Sequence, residues 1–257
     1  MSKQFKAIIL VIVIIIGLTG CGNKLNTINS INDLGNKNIG VTTGSEYDLI
    51  VNKHIKNANV MYYNSYNDQI SALKSGKIDG FLTDEPLAKE MLTKNEGIKV
   101  LDKKLTEDSY AFAITPSKKE LQEEINTQLS NMKENGKLKE FEDKWFGNDE
   151  SKKILEKYSY SSNKTIKFAT VSGSAPFAYM KNNQIVGYDI DIIQYICKEL
   201  GYKLEVIEMS FEGIIPALKS GKVDMAGCSI IVTEERKKSV LFSDPDYTGG
   251  IVVVVRS

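Results

Sequence analysis

The sequence has little histidine and little cysteine, one His and three Cys in 257 residues. A cluster of metal-ligating side chains or a Cys–His catalytic pair has little material to draw on, so no metal, no cofactor and no catalytic residue is expected. The single His54 lies in a polar helical stretch and is expected to be exposed. No charge of one sign dominates: Lys+Arg and Asp+Glu are 33 each, interspersed, which argues against a nucleic-acid surface. The apolar run at residues 7–18 falls short of the roughly 20 residues that span a bilayer. No 20–50-residue period marks a solenoid. What remains, 42% apolar and 26% charged residues, suits a soluble globular protein of one large or two modest domains.

One stretch is written twice. Ala72-Leu73-Lys74-Ser75-Gly76-Lys77-Ile78-Asp79 returns as Ala217-Leu218-Lys219-Ser220-Gly221-Lys222-Val223-Asp224, seven identities in eight. In both copies an amphipathic helix precedes it, with Tyr66, Ile70 and Leu73, or Phe211, Ile215 and Leu218, on one face. Ser65 or Asn67, and Ser210, are available as N-caps. Gly76 and Gly221 stand where a helix needs a left-handed residue past its end, and a short apolar strand follows. One repeat at this distance predicts two related α/β lobes.

Lys3 and Lys6 precede the apolar run, which then meets Leu18-Thr19-Gly20-Cys21. The pattern is that of a signal peptide, and its end resembles a bacterial lipobox. That resemblance implies that residues 1–20 are removed and that Cys21 is lipidated, with an uncleaved anchor as the alternative. The expected location is the outer face of the cell membrane, held by the lipid.

Residues 21–30 are predicted to be a tether. Strands are expected at 38–41, 59–63, 78–82, 99–101 and 110–114, alternating with helices, which argues for largely parallel sheets. Pro86 suits the first turn of a helix. Ser117-x-x-Glu120 predicts a capping box opening a helix with Leu121, Ile125, Leu129 and Met132 on one face. A second short helix ends in Lys144-Trp145-Phe146-Gly147, and residues 150–164 read as a linker. A new α/β unit begins with a strand at 166–170, and its helix should be capped by Gly201. Strands follow at 204–207, 223–228 and 251–255, with Pro216 expected to kink the helix between the first two.

These residues resemble the extracellular solute-binding proteins of polar amino acid ABC importers, family 3. The pieces that carry the likeness are Gly187-Tyr188-Asp189-Ile190-Asp191, the second octapeptide with Ile215-Pro216, Thr233-Glu234-Glu235-Arg236, Phe242-Ser243-Asp244-Pro245, Gly40-Val41-Thr42-Thr43-Gly44-Ser45, Thr83-Asp84 and the Trp-Phe-Gly helix end. The resemblance implies an α/β two-lobe periplasmic-binding-protein type II (Venus flytrap) fold. The order of the pieces departs from the family: the stretch like 165–257 normally comes first. The halves therefore read as circularly permuted, with 31–108 as lobe 2, 109–149 as a return crossing with helices packing on lobe 1, and 165–257 as lobe 1. A tandem-array fragment or rearranged gene is the rival reading. With termini at the first crossing, residues 110–114 would be the sole covalent link between lobes, leaving them free to open widely. Cys21 would hold the protein near its hinge.

The resemblance implies a binding protein and no enzyme: a monomer that captures an amino acid or similar small zwitterion and delivers it to an ABC permease. Arg236 would anchor the carboxylate through a bidentate guanidinium pair, its alternative being a solvated residue at a helix start. Asp84 would take the ammonium, its alternative being a helix N-cap. Ser229 and the backbone near Ile231 would add hydrogen bonds, and Phe211 would form an apolar wall or belong to the core. Thr42, Gly44, Ser45 and Glu46 would close over the ligand from the other lobe. Ser174 stands where the family has an aromatic lid, Ile231 where it has Ser or Thr, Glu46 where a small residue is usual, and Val171 where basic-ligand members often have an acid. Cys197 and Cys228 are expected to be free and buried. A sensing or degenerate lipoprotein, and a dehydratase-like enzyme using Glu46 or Glu212, are the competing functions.

Overall fold

The computed structural model describes residues 27–160 and 163–257. The proposed leader and Cys21 lie outside the described residues. The chain first builds β1 (Asn38–Thr42), α1 (Tyr47–His54), β2 (Asn59–Tyr63), α2 (Tyr66–Lys74), β3 (Gly80–Asp84), α3 (Glu85–Lys94) and β4 (Ile98–Val100). It then passes through β5 (Asp108–Tyr110) and β6 (Ala113–Ile114) to α4 (Lys119–Glu134) and α5 (Lys137–Phe146). An irregular stretch leads to β7 (Thr165–Thr170), β8 (Gly173–Ser174), β9 (Ala178–Lys181), β10 (Gln184–Val186), α6 (Tyr188–Leu200) and β11 (Lys203–Glu208). The chain finishes with α7 (Phe211–Lys219), β12 (Met225–Ala226), α8 (Glu234–Lys237), β13 (Leu241–Phe242), β14 (Tyr247–Gly249) and β15 (Ile251–Arg256).

Two five-stranded sheets form two lobes, ordered β2-β1-β3-β15-β4 and β11-β7-β12-β6-β13. The orders are equivalent, strand for strand. In each, three strands run parallel and the fourth is antiparallel, taken from the opposite half of the chain. The two octapeptides occupy equivalent places, each leading from a helix (α2 or α7) into its sheet's third strand. Ser65 caps α2 through the Asp68 N–H, and Gly76 and Gly221 adopt positive φ of 78° and 71°, as their positions demand.

The last strand corrects the lobe boundary. Ile251–Arg256 does not complete the sheet of β7 and β11; it pairs with β3 and β4 in the other sheet, Val253 opposite Leu82. Five successive Ile and Val residues need cover on both faces, and the interior of this largely parallel sheet supplies it. A second crossing therefore exists. Strands β5 and β14 pair antiparallel, Tyr247 opposite Tyr110, so a two-stranded ribbon joins the lobes. The single connection expected from sequence does not hold, and the wide opening drawn from it loses its premise. Rings of Tyr110, Phe146, Phe177, Tyr188 and Tyr247 pack around this ribbon with centroids 5.0 to 6.2 Å apart.

Other expectations need adjustment. The tether ends sooner than residue 30: Ile28 is buried in the core of the first sheet, and Asn29 accepts from Lys99 at 2.7 Å. Lys99 lies on β4 beside Val255, near the end of β15, so the first described residues dock against that end of the sheet. The linker is docked, with Leu155 and Tyr160 packed on the core and Lys153 buried. The Ser117 capping box does not form: α4 starts at Lys119 without a side-chain cap. Its apolar face is nonetheless the expected one, with Leu121, Ile125, Leu129 and Met132 buried. The β9–β10 hairpin was not anticipated, although Asn182 and Asn183, at φ 51° and 61°, form the kind of turn that asparagine favours. His54 is half-buried, packed at the end of α1.

Candidate functional site

Ligands of open α/β sheets bind beyond the carboxyl ends of the strands, because the loops there carry the side chains that can converge. Here the parallel strands of both sheets end at one gap. Thr42 closes β1, Asp84 closes β3, Glu208 closes β11, Val171 follows β7 directly and Cys228 lies two residues past β12. A cavity of about 250 Å³ fills the gap, lined from both lobes. Its walls carry hydroxyls from Thr42, Ser45, Tyr47, Ser65, Tyr66, Ser172, Ser174 and Ser229, with Asn64 beside them. Val171, Phe211, Cys228 and Ile231 supply apolar surface, and Arg236 and Glu208 are its two charged residues.

Of the residues expected from sequence, Arg236, Ser229, Ile231, Phe211, Ser45, Thr42 and Ser174 line the cavity, while Asp84, Gly44 and Glu46 do not. Phe211 is half-buried, a wall that also rests on the core.

Arg236 is almost wholly buried, in the first turn of α8, whose start is capped by the Thr233 hydroxyl accepting from the Arg236 N–H at 3.2 Å. A buried guanidinium needs partners for its donors, since desolvating it costs several kcal/mol otherwise. It donates to the Ile231 carbonyl at 2.9 Å and, across the gap, to the Gly44 and Ser45 carbonyls at 3.2 Å each. Its Cζ lies 5.5 Å from the centre of the Phe211 ring. Glu46, with φ 67°, turns toward it, Oε1 standing 3.7 Å from Nε. The unfavourable carboxylate foreseen at position 46 is thus met by the arginine.

Asp84 departs from its expected role. It is fully buried and off the cavity wall, and no side-chain hydrogen bond caps α3. Its Oδ1 accepts from the Tyr110 hydroxyl at 2.7 Å, and its Oδ2 from Tyr47 and Ser229 at 3.0 Å each. One carboxylate therefore ties together the first lobe, the ribbon and the second lobe, and it has little left for an ammonium. Burial pushes its pKa up to about 6, against the opposing pull of those three hydroxyls. Nearby, burial and mutual repulsion raise Asp189 and burial raises Asp246. Burial also raises the thiol pKa of Cys228, so that residue behaves as a neutral wall, and both described cysteines are free and buried.

Sequence reasoning missed Tyr47, Tyr66, Tyr110, Ser172 and Glu208. Tyr47 and Tyr66 open helices right after strand ends, and Glu208 ends a strand, so position relative to the strand ends was the available signal.

Residues 166–257 match the bacterial extracellular solute-binding proteins, family 3. A probable histidine-binding protein of Campylobacter jejuni is 40% identical over 83 residues, 32% of each chain. The arginine-binding extracellular protein of Bacillus subtilis is 38% identical over 96 residues, 37% of this chain and 38% of that one. An ancestral arginine-binding protein bound to glutamine, of solved structure, is 45% identical over 33% of this chain and 38% of its own, with a TM-score of 0.32. The chain spans about a third of the length of the curated relatives it matches. Both the family and these relatives are solute-binding proteins and not enzymes. Through residues 166–257, the chain is related to the bacterial extracellular solute-binding proteins, family 3.

Proposed function

We propose that the protein captures an amino acid between its two lobes and hands it to an ABC permease in the membrane. The observation that carries this is the cavity at the convergent strand ends, walled by both lobes and holding a buried arginine among hydroxyls. At about 250 Å³ it is slightly smaller than the 300–1,000 Å³ typical of drug-sized ligands, and so suits a small metabolite. A zwitterion would meet Arg236 with its carboxylate and the hydroxyls of Thr42, Tyr66 and Ser229 with its ammonium. Relatives named for arginine and histidine support the same class. The test is thermal unfolding of the purified protein against a panel of amino acids. A ligand at about 100 times its Kd adds about 2.7 kcal/mol and raises the midpoint by several degrees. No shift with any amino acid sinks the proposal.

We further propose that the chain is a circular permutation of the family pattern, with its described ends in the first lobe. Two sheets of equivalent order, each holding one antiparallel strand from the other half, support this. Rejoining the described ends and starting the chain near residue 165 should give a protein of equal stability; failure of that chain to fold counts against permutation. Cys21 is proposed to carry a lipid that keeps this monomer on the outer membrane face. Cys21→Ser should move the protein from the membrane fraction to the medium, and retention would exclude that anchor.

A further inference from the structure

The two charged residues on the cavity wall are satisfied very differently. Arg236 has three carbonyls, the Phe211 ring and the Glu46 carboxylate around it, and Glu46 offsets its charge. Glu208 ends β11 in register with Thr170 of β7, which brings it beside the loop that carries Ser172. Its Oε1 accepts from the Ser172 hydroxyl, and it has no ion pair among the described residues. A hydroxyl orients the carboxylate without neutralising it. The count of charge is then simple: Arg236 and Glu46 cancel, the main chain of an amino acid adds nothing, and Glu208 leaves the site one negative charge in excess. Asp84, when ionised, adds to the same sign from behind the wall.

We propose that Glu208, held by Ser172, reads a cation at the end of the ligand side chain and makes the site selective for a basic amino acid over its neutral isostere. The inference rests on the amino-acid reading above. Glu208 is exposed, so solvent screens it, and its effect is expected to be about tenfold and salt-dependent, not absolute.

The experiment is calorimetric titration of the protein with L-arginine and with L-citrulline, which matches arginine in shape and lacks its charge. The intact protein should bind L-arginine at least about tenfold more tightly, and raising salt from about 0.05 to 0.5 M should narrow the gap. Glu208→Gln should weaken L-arginine about tenfold and leave L-citrulline within about twofold, with Ser172→Ala between the two. Glu205→Gln, on the exposed side of the same strand, should change neither; thermal unfolding of each variant checks that it folds. Equal binding of the two ligands, or equal loss of both in Glu208→Gln, overturns the inference while leaving an amino-acid receptor. Binding of no amino acid at all removes the underlying reading and this inference with it.

Discussion

The two sheets are alike where their strands begin and different where they end. At the beginning, Asp79 and Asp224, the last residues of the repeated octapeptide, do the same work. Asp79 accepts from the Asn38 N–H at 3.0 Å and donates its own N–H to the Asn38 carbonyl at 2.8 Å. Asp224 does so with Lys167, at 2.7 and 2.9 Å. Each also meets a cation at or beyond the end of the antiparallel strand that its sheet takes from the other half: Arg256, the last residue of β15, at 3.4 Å from Asp79, and Lys118, after β6, at 2.6 Å from Asp224. At the other end, β3 runs into Thr83-Asp84 and β12 into Cys228-Ser229, and the two lobes contribute unlike chemistry to one cavity. The repeat is therefore a device for starting a sheet, and the ligand-facing ends were free to diverge.

The sharpest break of this comparison is Arg236→Ala. It removes the one cation that lines the cavity among the described residues, and its bonds to the Gly44 and Ser45 carbonyls of the other lobe. Amino-acid affinity should fall about 100-fold or more in titration calorimetry, the usual consequence of truncating a buried charge partner. An affinity within about fivefold of the parent would mean that the second lobe does not supply the anchor.

Asp84→Asn tests whether the strand ends carry the molecule's pH sensitivity. The Asp84 carboxyl titrates near 6 in the folded protein against an ordinary 3.8, so between those values the folded state binds more protons than the unfolded chain. Its contribution to stability is then greatest below about pH 4 and declines as pH rises through 6. The stability of the parent minus that of Asp84→Asn should drop by on the order of 1–3 kcal/mol from pH 4 to 7 in denaturant titrations. A difference that stays flat would mean the carboxyl is not desolvated.

At the strand beginnings, Asp79→Ala and Asp224→Ala should each cost about 0.5–1.5 kcal/mol, by removing the side-chain acceptor of a partly buried strand N–H. Neither should alter ligand affinity. A cost confined to one of them would end the equivalence of the two sheets. Smallest of all, Ser117→Ala should shift stability by less than about 0.5 kcal/mol, because no cap forms there. A larger loss would reinstate the capping box.

Much of this was readable in advance. The octapeptides announced two lobes, and the glycines after them took up the left-handed conformation their positions require. The helix face of α4 followed from spacing alone, and seven of the ten expected ligand-site residues line the cavity. The misreadings of the last strand and of Asp84 share one feature: each depended on a partner far away in sequence. Nothing within residues 251–255 says which sheet will take them, since their partners lie at 80–84 and 98–100. Nothing near Asp84 reveals that Tyr110 and Ser229 will consume its carboxylate.

By itself the sequence determined the local elements, the doubling of the lobe and the chemical types present at the strand ends. Those properties depend on spacing, capping and backbone preference, all of which act over a few residues. Only the tertiary structure decided that two paired strands join the lobes, that Asp84 serves the hinge instead of the cavity wall, and that Glu208 lines the cavity with no ion pair among the described residues. These are facts of long-range pairing and burial, and the fold has to bring distant segments together before hydrogen bonds and desolvation can act between them.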